Sequence, residues 1–294
     1  AKQRCAQGSD ASAAPTAVLM PRQVVLHIGF HKTGTSSVQA VLRANRAALK
    51  RHVAIRLKPQ IKELLHGARG YSTWRDGWSL AKTQRRWDAL LAGLPAMPRR
   101  VLIVSAEELA GHMPGRGALA DYSAAVDLTQ VYVDGVRARF PEAEITVHVG
   151  LRQAEDWLRS AYWEHVKSSS MVLDEAEFVA HYRAAADLAA VADRIAEQAG
   201  VPVHHAWLEH CGAHPLGPAA ALLAGCAVPQ ELLHRLTPAP VQNTRLPVDV
   251  LQALLAANRS YADRDARKAA KRSILKEAEI IRPNNLARGA EGEA

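Results

Sequence analysis

A short stretch near the amino terminus has the residue types that bind a phosphate group. Residues 24–28 form an apolar run typical of a buried parallel strand. Gly29 and Gly34 follow and bracket a loop in which the backbone can turn tightly and approach a ligand. Residues 35–37 are Thr, Ser and Ser, which favour the start of a helix. A strand, loop and helix in this order point free N–H groups and the positive end of a helix dipole at one spot, which suits a phosphate.

The position of Lys32 argues against the commonest loop of this kind. A Walker A loop reads G-x-x-x-x-G-K-[ST], with the lysine directly after the second glycine. Gly29 and Gly34 keep that spacing, but Thr35 stands where the lysine belongs and Lys32 lies inside the loop. A kinase or other NTPase is therefore an alternative rather than the first interpretation. The same residues also fit a non-catalytic phosphate-binding protein, or an ordinary strand–helix turn with an incidental lysine.

A second pair of residues can bind another anion. Arg152 follows a predicted strand at 145–151, and Ser160 lies eight residues later, about two turns into a helix predicted over 154–168. The guanidinium group offers forked donors and the hydroxyl a short one, so both can reach one anion. Taken alone, the pair is equally consistent with a solvated arginine and an ordinary helical serine.

Together the two motifs resemble the sulfotransferases that use 3′-phosphoadenosine 5′-phosphosulfate (PAPS), in their bacterial branch. The run His-Lys-Thr-Gly-Thr-Ser at 31–36 is similar to the family's 5′-phosphosulfate loop, and Arg152 with Ser160 to its 3′-phosphate site. The resemblance implies that Lys32 contacts the bridging oxygen and the sulfuryl group, and that no metal is required. Weaker echoes of the family occur at 241–244 and 280–285. The donor-binding residues implied are His31, Lys32, Thr33, Gly34, Thr35, Ser36, Arg152 and Ser160.

The same resemblance implies transfer of a sulfuryl group from PAPS to a hydroxyl or amine acceptor, with carbohydrate or a lipid-linked glycan as the expected class. An acceptor hydroxyl needs a general base. Glu107 is the first choice, because it follows the predicted strand 101–104 and the family's catalytic His or Glu can occupy that loop. A glutamate at this position can equally serve only to favour a helix dipole. His66 and His31 are the remaining candidate bases.

Composition limits the classes of partner. The chain has 294 residues, a formal charge of +8 and 5% aromatic residues, without a Lys/Arg block typical of a nucleic-acid surface. A polyanionic small ligand explains the charge equally well. The three cysteines are odd in number and lack metal-ligand spacing, so a reducing, cytoplasmic location is expected. No run reaches the roughly 20 apolar residues of a membrane-spanning helix.

The order of elements predicts an α/β protein. Short apolar strands alternate with amphipathic helices, which favours a P-loop-type three-layer fold with a central, mostly parallel sheet of about four or five strands. One sulfotransferase-like domain is expected over 23–290, preceded by a loosely ordered extension at 1–22. Within 60–79 we expect a helical start and then an irregular loop, and we expect 52–79, 105–118 and the C-terminal helices to shape the acceptor pocket.

Overall fold

A parallel sheet organises the chain. The computed structural model describes residues 20–117, 119–239 and 246–290, the last twelve of these by their backbone alone. Its strands run in the order β2-β3-β1-β4-β5, and every neighbouring pair is parallel, which confirms the predicted fold class. The strands are β1 (Gln23–Gly29), β2 (Val53–Leu57), β3 (Val101–Ser105), β4 (Glu144–Leu151) and β5 (Val203–Trp207).

The strand order places three loops side by side. All residues of β1 are buried, and the strand lies between β3 and β4. β2 and β3 lie on one side of β1, with β3 next to it, and β4 and β5 lie on the other, so the direction of construction reverses beside β1. Ligands of open parallel sheets bind outside the carboxyl ends of the strands at such a switch point. The segments that follow β1, β3 and β4 all meet there.

Helices cover both faces of the sheet. Val24, Leu26 and Ile28 pack on one face with α3 to α8 and α11, whereas Val25 packs on the other with α1, α2, α9 and α10. This alternation along β1 is what a strand buried on both sides requires. The helices are α1 (Thr35–Ala44), α2 (Arg46–Leu49), α3 (Lys62–Trp74), α4 (Gly77–Ala92), α5 (Ala124–Arg139), α6 (Ala154–Ser168), α7 (Glu175–Tyr182), α8 (Leu188–Ala199), α9 (Ala219–Ala224), α10 (Gln230–His234), α11 (Val248–Ser260) and α12 (Arg264–Ala290).

The helical start predicted for 60–79 is confirmed, but the irregular loop predicted after it is wrong. The segment forms all of α3 and the start of α4, joined by a tight turn in which Arg75 adopts a left-handed φ of 53°. Asp76 caps α4 by accepting a hydrogen bond from the Ser79 backbone N–H at 2.7 Å. Gly67 lies inside α3, where an added Cβ would come within 2.9 Å of the Thr83 hydroxyl. The glycine therefore permits close packing of two helices rather than breaking one of them.

Some sequence predictions fall on residues outside the described part. Residues 1–19 of the expected extension and the pattern at 241–244 are among them. Arg22, at the end of that extension, instead continues the hydrogen bonding of β1, because its N–H donates to the Arg100 carbonyl and its carbonyl accepts from the Glu144 N–H, both at 3.0 Å. Among the helices that are described, none combines the length and apolar character needed to cross a bilayer.

Gly29 gives a direct test of how closely the segment after β3 approaches β1. Its φ is +92°, and an added Cβ would lie 2.7 Å from the Glu107 Cα. We expect Gly29→Ala to lower the free energy of unfolding by about 3 kcal/mol, since the strain and the overlap add. Gly70 is the matched control, because its Cβ position in α3 is open, and Gly70→Ala should raise stability by about 1 kcal/mol. Urea unfolding compares the two, and equal midpoints would contradict the packing described.

Candidate active site

The loop between β1 and α1 is held in a fixed turn by its own side chains. The hydroxyls of Thr33 and Thr35 both donate to the Phe30 carbonyl, at 2.7 and 3.1 Å. Lys32 and Gly34 have left-handed φ values of 65° and 90°. Left-handed residues alternating with right-handed ones turn successive N–H groups toward the same side, which makes an anion-binding concavity. The two threonine hydroxyls therefore brace the loop from within.

The start of α1 adds further donors to this concavity. Gly34 is the N-cap residue, no side chain caps the helix, and its first turn holds no acidic residue. The first N–H groups of a helix have no acceptor within the helix itself. They point outward with the positive end of the helix dipole, as an anion requires. Ser36 lies in this turn with its side chain exposed, so its hydroxyl can also reach a ligand.

Residues from β4 and α6 fix the loop from outside. The Arg152 guanidinium donates to the Lys32 carbonyl at 3.0 Å, and the Trp157 indole donates to the His31 carbonyl at 3.0 Å. Gly150 lies so near that a Cβ there would approach the Thr33 hydroxyl to 2.5 Å. Arg152, which is predicted to bind one anion, therefore contacts the loop that is predicted to bind a second anion.

His31 is held as a neutral ring. Desolvation by burial lowers the pKa of His31 to about 3. The Tyr122 hydroxyl accepts from the His31 backbone N–H at 3.2 Å and lies 3.0 Å from its Nδ1, to which it can donate. A ring so strongly disfavoured as a cation is a poor proton acceptor. This geometry favours a positioning role for His31 over a role as the base.

A face of α6 brings Ser160 and a glutamate to the loop. Glu164 Oε2 lies 3.2 Å from Lys32 Nζ, and the two side chains are 32% and 27% exposed. Trp157, Ser160 and Glu164 recur at intervals of three and four residues, so they share one side of the helix. Because Trp157 and Glu164 both contact the loop, Ser160 between them faces it too.

Glu164 and Arg152 are two of the paired charged side chains that surround the loop. Burial acts to raise the pKa of Glu164, but the charge and hydrogen bond of Lys32, together with the Lys167 charge and Ser168, outweigh it, and the pKa lies below its ordinary value. The Arg152 Nε lies 3.9 Å from a Glu209 carboxylate oxygen, which accepts from the Gln153 N–H at 3.0 Å. Each cation of the candidate site thus faces a carboxylate, and an incoming anion competes with it.

Glu107 lies on the other side of the loop in a second charged cluster. It follows β3, as the sequence predicts, and begins a 3₁₀ turn. One carboxylate oxygen binds the Lys58 ammonium, and the other accepts from the Gln39 amide at 3.0 Å. Burial acts to raise the pKa of Glu107, but the charge and hydrogen bond of Lys58 and the nearby His31 together outweigh it, so the pKa is lowered. Lys58 also bonds Glu108 at 3.0 Å.

His66 is not brought into this arrangement by any contact. It is exposed on α3, and within the described residues it has no hydrogen bond or ion pair to the loop. The sequence patterns do not predict the contacts of Glu164, Glu209 or Tyr122. Only Glu164 has a usable signal, since it follows Ser160 by four residues on a predicted helix.

Neither the protein-family models nor the curated proteins include a match to this chain. The function proposed for this chain therefore rests on the β1–α1 loop and the residues that contact it.

Glu164 gives a test of anion binding at Lys32. We expect Glu164→Gln to tighten binding of inorganic phosphate about fivefold, or about 1 kcal/mol, because it removes a competing carboxylate. Glu155→Gln on the same helix is the control, since Glu155 pairs with Arg183 at 3.1 Å in an exposed position. Calorimetric titration measures both affinities. Equal affinities for wild type and Glu164→Gln would mean that phosphate does not engage Lys32.

Proposed function

We propose that this protein is a sulfotransferase that moves the sulfuryl group of PAPS to a hydroxyl or amine acceptor. The observation that carries the proposal is the meeting of two anion-binding elements at one lysine. Lys32 lies within a backbone cradle, and Arg152 contacts the same loop at the Lys32 carbonyl. The donor carries phosphate groups at its 5′ and 3′ positions, and these two elements fit them.

The residues divide between the two phosphates of the donor. The N–H groups of residues 32–36 and the Ser36 hydroxyl would hold the 5′-phosphate, on the exposed side of the braced turn. Arg152 and Ser160 would hold the 3′-phosphate, the group that distinguishes PAPS from ATP. Because the hydroxyls of Thr33 and Thr35 already donate to Phe30, their contribution is to keep the N–H groups aligned.

Positioning and charge supply the catalysis in this proposal. The acceptor oxygen attacks sulfur in line, the bond from sulfur to the bridging phosphate oxygen breaks, and adenosine 3′,5′-bisphosphate leaves with the bonding electron pair. The acceptor proton passes to a general base. Lys32 donates to the bridging oxygen as negative charge builds there, which stabilises the transition state. Glu164 keeps the Lys32 ammonium oriented until the donor is bound.

Two carboxylates are candidates for the base, and the geometry favours Glu164. It already contacts Lys32, is about one-third exposed, and has one oxygen outside the ion pair. Glu107 has both oxygens engaged by Lys58 and Gln39. Glu107 therefore fits a role in positioning the loop from the side of β3, although it remains the base that the resemblance implies.

Carbohydrate or a lipid-linked glycan remains the expected acceptor class. Two exposed tryptophans, Trp74 and Trp78, lie where α3 meets α4, within the segment expected to shape the acceptor pocket. The described contacts join neither of them to the loop, so the resemblance alone supports that segment's role.

The Lys32 side chain is the first element to test. We expect Lys32→Ala to lower transfer from ³⁵S-labelled PAPS by about 10²–10³-fold on a panel of glycan, lipid and phenol acceptors, because the leaving oxygen loses its cation. Lys50→Ala, which removes an exposed lysine from the far end of α2, should keep full activity. Near-normal turnover by Lys32→Ala would refute the mechanism. Binding of adenosine 3′,5′-bisphosphate without Mg²⁺ separates the proposal from a kinase.

The identity of the base predicts a pH profile. We expect Glu164→Gln to lower kcat by about 10²–10⁴-fold and Glu107→Gln to lower it much less. A carboxylate base is inactive when protonated, and the pKa of Glu164 is lowered by Lys32. Wild-type kcat should therefore fall only as the pH drops below roughly 4.3, the ordinary value for glutamate. A decline centred near pH ~6.5 would instead indicate a histidine base.

A further inference from the structure

The first half of α12 presents a row of cations on one side. Its positions i, i+3, i+4, i+7 and i+8 are basic, and this spacing places them on a single helix face. Apolar residues at the same spacing would pack a helix against a core. The five residues are Arg264, Arg267, Lys268, Lys271 and Arg272.

This face forms one wall of a groove of about 760 Å³. The opposite wall comes from the glycine-flanked residue Arg116 and from Lys167 at the end of α6. The seven cations are joined in the lining by the hydroxyls of residues 168–170. Within the described part of the chain, no acidic residue lines the groove. We name this feature the basic groove.

The cations of the basic groove lack the close ion pairs that the cations of the candidate site form. Lys32, Lys58 and Arg152 each face a carboxylate, at 3.9 Å or less. The seven cations of the groove form no ion pair with any described residue. Uncompensated charge of one sign in a concave surface concentrates anions there.

Hydrogen bonds and close packing hold both walls of the basic groove in place. The Lys271 ammonium donates to the carbonyls of Val166 and Ser169, both at 2.7 Å, and to Asn258 Oδ1 at 3.0 Å. These bonds fasten α12 to the end of α6. On the opposite wall, His165 Nε2 lies 2.6 Å from the Pro114 carbonyl, and an added Cβ at Gly115 would approach that ring nitrogen to 2.8 Å.

The basic groove begins beside the candidate active site. Lys167 and Ser168 follow Glu164 by three and four residues on α6, so all three lie along one side of the helix. The separation along the axis is about 5 Å, or one turn. Glu164 in turn contacts Lys32 at 3.2 Å. A ligand lying in the groove can therefore extend directly to the lysine.

We propose that the basic groove binds an acidic polysaccharide chain and presents one of its hydroxyl groups to Lys32. The inference rests on the proposed sulfotransferase function and specifies its acceptor as carrying carboxylate or sulfate groups. Cations on facing walls with serine hydroxyls between them suit a chain that has both anionic and hydroxyl groups. A flat lipid surface does not require a concave site. Single-stranded nucleic acid requires exposed aromatic rings for stacking, and the aromatic residue of the lining, Tyr182, is buried.

The test removes groove charge and compares it with equal charge removed elsewhere. The groove variant combines Arg264→Gln, Lys268→Gln and Arg272→Gln, three exposed side chains without hydrogen bonds in the described structure. The control variant replaces the exposed Arg43, Lys50 and Arg51 by Gln near the opposite end of the sheet. Fluorescence anisotropy measures binding of a labelled heparin oligosaccharide at physiological salt. Calorimetry measures adenosine 3′,5′-bisphosphate on the same proteins.

We expect the groove variant to bind the oligosaccharide at least about tenfold more weakly, with the control variant near wild type. Equal losses in both variants would overturn the proposal, since binding would then follow net charge alone. Binding to phosphatidylglycerol vesicles or single-stranded DNA, but not to the oligosaccharide, would also overturn it. Nucleotide affinity should stay the same in all three proteins. If wild type does not bind the nucleotide, the sulfotransferase proposal is refuted, whereas the oligosaccharide result for the groove still stands.

Discussion

Three successive carbonyl oxygens of the β1–α1 loop are each held by a donor. Phe30 accepts from two threonine hydroxyls, His31 from the Trp157 indole, and Lys32 from the Arg152 guanidinium. The C=O and N–H of one peptide group point in opposite directions, so fixing the His31 and Lys32 carbonyls turns the N–H groups of Lys32 and Thr33 away from Trp157 and Arg152, whereas the His31 N–H donates to the Tyr122 hydroxyl. The anion cradle is thus the consequence of where the carbonyls are fixed. The switch point of the sheet makes this possible, because β4 and α6 lie beside the end of β1.

Two electrostatic regimes lie side by side in this molecule. Around the loop, cations and carboxylates are paired, as for Lys32 with Glu164 and Lys58 with Glu107. Pairing lowers the free-energy cost of burying these charges. An anionic ligand must therefore displace the carboxylate from its cation. In the basic groove, the cations form no ion pair with a described residue. Paired charges suit a site that selects one ligand by its geometry. A groove of cations suits a polyanion that is bound through many weak contacts.

Local patterns in the sequence are sufficient to predict the sheet and the loop. Apolar runs locate β1, β3 and β4, and Gly29 with Gly34 locates the turn. Arg152 and Ser160 can be found because their spacing is itself local. The glycines of α3 mislead, since Gly67 serves a contact with Thr83 in the next helix and not a turn of its own chain. Glu164 escapes prediction because its partner Lys32 lies 132 positions away, a distance no periodicity spans.

The bonds that Arg152 and Trp157 make to the loop join residues 120 and 126 positions apart. A chain emerging from the ribosome therefore completes β1 and α1 long before the donors that fix the turn between them exist. Until β4 and α6 have docked, the carbonyls of His31 and Lys32 lack these donors, and only the Phe30 carbonyl can bind side chains of its own loop. Competence to bind an anion is then acquired late, as one event with closure of the sheet. A ligand that binds only the closed form shifts the equilibrium of this last folding step toward the closed form by mass action.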